Sequence, residues 1–485
     1  MPTRAELPLQ DIAFSESNSW TDALPVCRES AVGSSINQIY REDGNRQEAH
    51  PYEDFSFHVK VEHDKSRDTY LYGVFDGDEG SQAANFALQR IAAEILLDNQ
   101  LLDATTDEEV KEKLRQAFLA VENSYWDSVG DKLAERTSVQ YEIPDDLTSY
   151  EAYQKYPHLV DKLNSLNTEL SSGTTAVVAL IHNGKLYVAN VGDSRALLCK
   201  TDDNGVLKVI QLSVDHDLRN EDELLRMYKL GLNVDEIRKR SRIGNQETTR
   251  CIGNYLVKGG YKDFEDLAAA CGEPVIAEPE VHGGIPIDEA SSFLLLMSDG
   301  LYKSLQEATG CVESVNKEIA QIAVEQFRIQ STLTGVAQGV VDKIVRIHHD
   351  VFMSGTAAIP SGKRDDMTLL VRNFNYPMPN ALNSPTNPHV RFNPIVETAP
   401  PPPINYGSSN NEDNESEMVT NDDVDDGRRD TQDTSTTDSS DVYPEENVLK
   451  RNERIKPYVD FAEFYENFEK AKSNNTLPPS LMPQE

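Results

Sequence analysis

Residues 173–199 read GTTAVVALIHNGKLYVANVGDSRALLC. Three short apolar runs, 174–181, 185–191 and 195–199, are parted first by His182-Asn183-Gly184 and then by Gly192-Asp193-Ser194. Asn-Gly readily takes the positive φ of a tight turn, so the first two runs predict an antiparallel hairpin. Working outward, 70–75, 293–297 and 368–374 have the same character, rich in Val, Leu, Tyr and Phe and bounded by Gly, Asn or Asp. Helical periodicity covers 83–97, with Phe86, Ile91, Ile95 and Leu97 among its apolar positions, and 108–134. Hairpin connections with separate long helices predict an α+β fold, antiparallel sheets covered by helices rather than βαβ crossovers.

Acids recur where these strands end. Asp76-Gly77 follows LYGVF, Asp193 follows KLYVANV, Asp299-Gly300 follows FLLLMS, and Asp365-Asp366 precedes MTLLVRNF. One Asp-Gly pair is usually a turn. Four carboxylates gathered at one sheet edge repel each other unless a cation lies between them, and hard ions such as Mg²⁺ or Mn²⁺ prefer oxygen donors.

The whole chain has 485 residues, with 46 Lys and Arg against 82 Asp and Glu, a formal net charge of −36. That balance argues against nucleic acid or an anionic membrane as partner. Mean hydropathy is −0.54 and no apolar run is long enough to span a bilayer. The N-terminus has acids and prolines where a secretory leader would be basic and then apolar, so the expected location is cytoplasmic. The five cysteines lack metal-ligand spacing and are read as free thiols, Cys199 and Cys251 as core residues. His216, between Asp215 and Asp217, is read as a structural histidine bonded to a neighbouring acid.

Composition changes near Phe374. Beyond it Pro, Asn, Ser, Thr and Asp dominate, and residues 411–446 hold 14 acids against two bases, which predicts a disordered spacer. Past the spacer, five of the eleven residues at 458–468 are aromatic, against 7% in the whole chain. Phe461, Phe464, Tyr465 and Phe468 fall on one helical face, a short amphipathic helix suited to a partner's groove.

Glu53-Asp54 in HPYED, Asp76-Gly77 in VFDGDEG, GTTAV, VANVGDSRALL, Asp215-His216, Ser298-Asp299-Gly300-Leu301 and Arg364-Asp365-Asp366-Met367 occur in this order. Taken together they resemble the metal-dependent type 2C protein Ser/Thr phosphatases over roughly residues 28–375. The resemblance implies a central antiparallel β-sandwich flanked by helices. It also implies a metal centre in which Asp76 bridges two ions, the Gly77 carbonyl binds one, and Glu53, Asp299 and Asp365 complete the shell, with Asp193 as a weak third site. Mg²⁺ or Mn²⁺ is the ion such a shell takes, and the metals would activate a hydroxide for attack on a phosphomonoester. The chain departs from that pattern at Ala49, in place of a phosphate-gripping Arg, and at Asp78, in place of a general-acid His. It departs again at Lys303 and Asn254, each in place of an Asp. A carboxylate at 78 beside metal-bound acids is expected to be ionised. Losing a general acid costs about 10²- to 10⁴-fold, so no catalytic residue is assigned, no cofactor is required, and negligible phosphatase turnover is expected.

The terminal PYVDFAEFY motif resembles that of pseudophosphatase adaptors, in which a type 2C-like domain is followed by a tail helix that docks on TGF-β-activated kinase 1. Docking on the catalytic domain of that MAP kinase kinase kinase promotes its autophosphorylation. By that resemblance Tyr458, Val459, Phe461, Phe464, Tyr465 and Phe468 are kinase-binding residues, Phe461 the chief anchor. Residues 383–405, with VRFNPIV and four consecutive prolines, would dock a stress-activated MAP kinase. The expected organisation is an N-terminal extension at 1–27, a type 2C-like domain at 28–375, a linker at 376–456 and a kinase-binding helix at 457–472. The alternative reading is an active Mg²⁺- or Mn²⁺-dependent protein phosphatase.

Overall fold

Asn183 (φ 52°) and Gly184 (φ 73°) both take the left-handed conformation, closing a hairpin whose register pairs His182 with Lys185 and Ile181 with Leu186. The computed structural model that contains it describes residues 24–41, 46–62, 68–96, 104, 106–144, 146–202, 204–354 and 362–379. All lie in the first of two units, Met1–Phe392 and Asn393–Glu485. Most of the expected N-terminal extension and linker, and the whole kinase-binding helix with Tyr458, Val459, Phe461, Phe464, Tyr465 and Phe468, lie outside the described residues.

In chain order the strands are β1 Ser30–Ser35, β2 Gln38–Tyr40, β3 Arg46–Gln47, β4 Phe55–Glu62, β5 Asp68–Asp78, β6 Gly173–His182 and β7 Lys185–Val191. They continue with β8 Arg195–Thr201, β9 Leu207–Gln211, β10 Ile252–Gly253, β11 Glu280–Pro286, β12 Ser291–Met297, β13 Lys363–Arg364 and β14 Met367–Asn373. The helices are α1 Gln82–Leu96, α2 Asp107–Glu142, α3 Ser149–Lys155, α4 Pro157–Ser171, α5 Glu221–Lys229, α6 Val234–Ile237, α7 Asp299–Thr309, α8 Val315–Ile329 and α9 Leu333–Ser354. One sheet runs β11-β7-β6-β5-β4, with β10 also on β6; the other runs β1-β14-β12-β8-β9. Every pairing between these strands is antiparallel.

Each sheet is covered on both faces, so its central strands are apolar throughout rather than alternating with polar residues. Tyr72, Val74, Val177, Val188, Leu198, Leu294, Leu296 and Leu370 fill the space between the sheets. Their strand neighbours point the other way: Leu71, Phe75, Val178 and Leu180 lie under Leu88 and Ile91 of α1 and Phe118 of α2. Leu197, Phe293, Leu295 and Leu369 lie under Leu301 of α7, Phe327 of α8 and Val340 of α9. The result is helix, sheet, sheet, helix, the α+β sandwich that the sequence predicts. A lobe at 218–275, between β9 and β11, packs around a separate core of Leu224, Met227, Leu232, Val257 and Leu267.

Several element bounds differ from the expectation. The helix predicted at 108–134 runs on to Glu142, because its start is fixed by a Thr106–Glu109 capping box and no proline intervenes before Pro144. β1, β4, β9, β11 and the short helices α3, α5 and α6 are too polar or too short to stand out in the sequence, whereas α8 and α9 are long and amphipathic and are additions to the predicted elements.

Gly300, in the first turn of α7, is a glycine for steric reasons: a Cβ there would overlap the Asp366 carbonyl oxygen. Gly300→Ala is therefore expected to destabilise the domain by about 3 kcal/mol or more, a backbone clash that no rotamer change relieves. Urea unfolding of the two proteins measures the difference.

Candidate metal centre

Antiparallel register carries the acids to one rim. Met297, the last residue of β12, pairs with Arg195 at the start of β8 and with Leu369 near the start of β14. Asp193, Asp299 and Asp365, each just beyond one of those ends, are thereby neighbours. In the other sheet β5 ends through Asp76, Gly77 and Asp78 against Thr175, Thr174 and Gly173 of β6. All these acids, with Glu53, line one cavity of about 700 Å³, together with His50, Arg242, Glu247, Thr248, Lys303 and Lys363.

Asp76 Oδ2 accepts the Asp299 N–H at 3.3 Å. Burial, then the negative charges of Asp299, Asp54, Asp365 and Asp193, push the Asp76 carboxyl well above its ordinary range. Burial also raises Asp299, to about 6, against the opposing pull of Lys303. Asp54 and Asp366 brace the rim from inside. Asp366 Oδ1 accepts from Asn37 N (2.6 Å) and Nδ2 (2.8 Å), and its Oδ2 accepts from Glu53 N (3.0 Å). Asp54 Oδ2 accepts from Ser298 Oγ at 2.8 Å, while its buried Oδ1 has no partner.

The donors are all hard oxygens, the central one is a buried carboxylate under strong like-charge repulsion, and a second buried oxygen is unsatisfied. This set suits Mg²⁺ or Mn²⁺. Glu53, Asp76, the Gly77 carbonyl, Asp299 and Asp365 are the groups that would hold it. Gly77 is sterically required, because a Cβ would come within 2.7 Å of the Glu53 carbonyl oxygen.

Two cationic side chains lie among the acids. Lys303 Nζ is 3.0 Å from Asp193 Oδ2, 2.5 Å from Asp299 Oδ2 and 3.2 Å from Glu247 Oε2. His50 Nε2 is 3.6 Å from Asp365 Oδ1 and Nδ1 is 3.7 Å from Glu53 Oε1. The Asp365 carboxylate raises the imidazole to about 9, so it is a cation at neutral pH. Neither side chain's role was read from the sequence. His50 sits inside the quoted HPYED stretch, where only the acids drew attention, and Lys303 counted simply as a lost ligand. One atom each from His50, Asp365 and Asp366 lie within 4.8 Å of one another, a grouping that motif order does not reveal.

The other departures resolve as follows. Ala49 donates its N–H to Asn37 Oδ1 at 2.8 Å and brings no charge to the cavity. Burial lifts the Asp78 carboxyl to about 6, although Arg242 opposes the rise, so at neutral pH it is mainly ionised. Asn254 stands apart from the cavity lining, fully buried with φ 56°, donating from Nδ2 to Gln246 Oε1 and Asn245 Oδ1. Its left-handed backbone suits Asn, so the residue is a structural one. His216 is structural as expected, but its partner is no acid: Nδ1 is 3.1 Å from both N and O of Gly192, fixing the sharp turn before Asp193. Cys199 and Cys251 are buried with thiols raised by desolvation, whereas Cys271 and Cys311 are exposed.

Acid should unfold this domain through three buried groups. Desolvation pushes His58 and His216 down to about 4, so each favours the native state neutral. Their contribution is complete above the unfolded value near 6.5 and is lost as pH falls toward 4, about 3 kcal/mol apiece. Glu223 is desolvated, but Arg250, Arg226 and Thr249 hold it down to about 2, so its share is lost only below about 4.5. Urea unfolding at pH 7 and pH 4.5 should show a marked fall in stability, shallower in a His216→Asn variant.

The family model of protein phosphatase 2C matches residues 131–348. "TGF-beta-activated kinase 1 and MAP3K7-binding protein 1" of Caenorhabditis elegans is 29% identical over 304 residues, covering 62% of this chain and 70% of that protein. "Probable protein phosphatase 2C 4" of Paramecium tetraurelia is 28% identical over 295 residues, covering 60% and 80%. Among solved structures, the serine-threonine phosphatase 2C of Toxoplasma gondii aligns at a TM-score of 0.43 and 19% identity, over 73% of this chain and 97% of that one. Among the described residues no helix is long and apolar enough to cross a membrane. The described residues have a protein phosphatase 2C-like fold, an α+β arrangement of antiparallel sheets flanked by helices, and the family match falls within them.

Proposed function

We propose that this chain is a pseudophosphatase adaptor: its 2C domain, spanning 28–375, does not turn over phosphoproteins efficiently, and residues 457–472 bind and activate TGF-β-activated kinase 1 in stress, inflammatory and TGF-β signalling. The observation that carries the first half is the altered cavity, in which Lys303 takes two of the acids, Ala49 leaves the phosphate without its grip, and Asp78 stands where a proton-donating His is expected. The second half is supported by the aromatic face of Tyr458, Val459, Phe461, Phe464, Tyr465 and Phe468, and by a relative whose name states that it binds that kinase. The linker at 376–456 supplies reach, and its 383–405 stretch would dock a stress-activated MAP kinase. Cytoplasmic residence fits these partners.

A second reading, an active Mg²⁺- or Mn²⁺-dependent phosphatase, is favoured by the convergence of Glu53, Asp76, Asp299 and Asp365 and by the similarity to the Paramecium phosphatase. Co-expression of the full chain with the kinase catalytic domain separates the two. Kinase autophosphorylation that rises with the wild-type chain and not with one lacking 457–472 supports the adaptor. No dependence on that segment, together with Asp76-dependent phosphopeptide hydrolysis, supports the phosphatase.

A further inference from the structure

An ammonium has three N–H donors, and the three anionic oxygens around Lys303 Nζ match them. The anchoring is local as well as tertiary. Lys303 lies four residues after Asp299 on α7, the spacing at which side chains on one helix face meet, so the helix itself holds the ammonium over that carboxylate. Asp193 comes from the turn before β8, in the other direction. Its side chain is 4% exposed, its Oδ2 also accepts the Tyr302 hydroxyl at 3.2 Å, and its Oδ1 has no partner. An anion buried to this degree needs a cation, and Lys303 is the one in contact with it.

We propose that Lys303 is a tethered counter-ion, competing with divalent metal for the oxygens of Asp193 and Asp299. A metal ion that uses either carboxylate through Oδ2 must first displace the ammonium and leave it among Asp193, Asp299 and Glu247 without its bonds. The chain thereby carries its own neutralising charge at this edge of the centre, and the edge is stable with no ion bound. Asp76, which Lys303 does not touch, is left without that neutralising charge. This inference stands whether or not residues 457–472 bind a kinase.

Calorimetric titration of the full chain with MnCl₂ tests it, comparing wild type, Lys303→Met and Lys303→Arg. Lys303→Met is expected to bind Mn²⁺ at least about tenfold more tightly, or to take up an additional ion. It should also melt at a lower temperature than wild type in EDTA and recover when Mn²⁺ is added. Lys303→Arg, which keeps the charge, should follow the wild type in sign. Equal affinity and stoichiometry in wild type and Lys303→Met overturns the proposal, as does an unchanged melting temperature in EDTA. Should Lys303→Met not fold, amine labelling of Lys303 in the wild-type chain, read by mass spectrometry, answers the same question. Labelling that rises with Mn²⁺ marks displacement of the ammonium, and labelling indifferent to Mn²⁺ rules it out.

Discussion

Phe461→Ala in the full chain is expected to weaken binding to the catalytic domain of TGF-β-activated kinase 1 by about 30- to 1,000-fold, the range of a truncated central anchor. On a helix through 458–468, Phe461, Phe464, Tyr465 and Phe468 share a face, and the first of them is the proposed occupant of a pocket on the kinase. Alanine at 461 loses a buried ring and leaves that pocket unfilled. On such a helix Glu463 and Asn467 would fall on the opposite face, so their replacement should change little. If 411–446 supplies reach rather than contacts, deleting it should leave the affinity of the full chain for the kinase nearly unchanged. Fluorescence anisotropy with labelled wild-type and Phe461→Ala peptides isolates the anchor, and equal binding by both would remove the aromatic face from consideration.

Hydrolysis of phosphoserine peptides by this chain in millimolar Mn²⁺ is expected to fall below that of an active 2C phosphatase by about 10²- to 10⁴-fold for the missing proton donor alone. The missing arginine at Ala49 removes electrostatic stabilisation of the phosphate as well, a comparable factor. Asp78→His restores an imidazole beside Gly77 and should recover part of the rate if the metal acids are otherwise in place. Robust wild-type turnover that Asp76→Asn abolishes would refute the pseudophosphatase reading, whatever the tail binds.

The strands that form the middle of each sheet were legible because both of their faces are buried, making runs such as FLLLM and TAVVALI apolar without interruption. Edge strands β4, β9 and β11 mix Lys, Gln, Glu and His with apolar residues and offer no comparable signal. The acids were legible as a set because the turn after or before each central strand is short, so a carboxylate one or two residues from a strand end is a carboxylate at the rim. What contacts those acids was not legible. Lys303 meets Asp299 through helical spacing, but its bond to Asp193 joins residues 110 apart in the chain and depends on how β8 and β12 pair. His50 likewise reaches Asp365 only because β13 and β2 bring the two segments side by side. Register and long-range pairing decide such contacts, and neither is written in local composition.

The separate core of the 218–275 lobe bears on how the cavity is reached. A cluster built on Leu224, Met227, Leu232, Val257 and Leu267 shares none of these side chains with the sandwich, so its unfolding need not expose the interior between the sheets. Segments of this kind open as cooperative units at lower free energy than the whole protein. The lobe also contributes Arg242, Glu247 and Thr248 to the cavity wall, and Glu247 holds the third bond of Lys303. Amide hydrogens in α5 and α6 are therefore expected to exchange faster than those of β6, β8 and β12 in a hydrogen–deuterium exchange measurement, and an opening of the lobe would free the lysine from one of its anions.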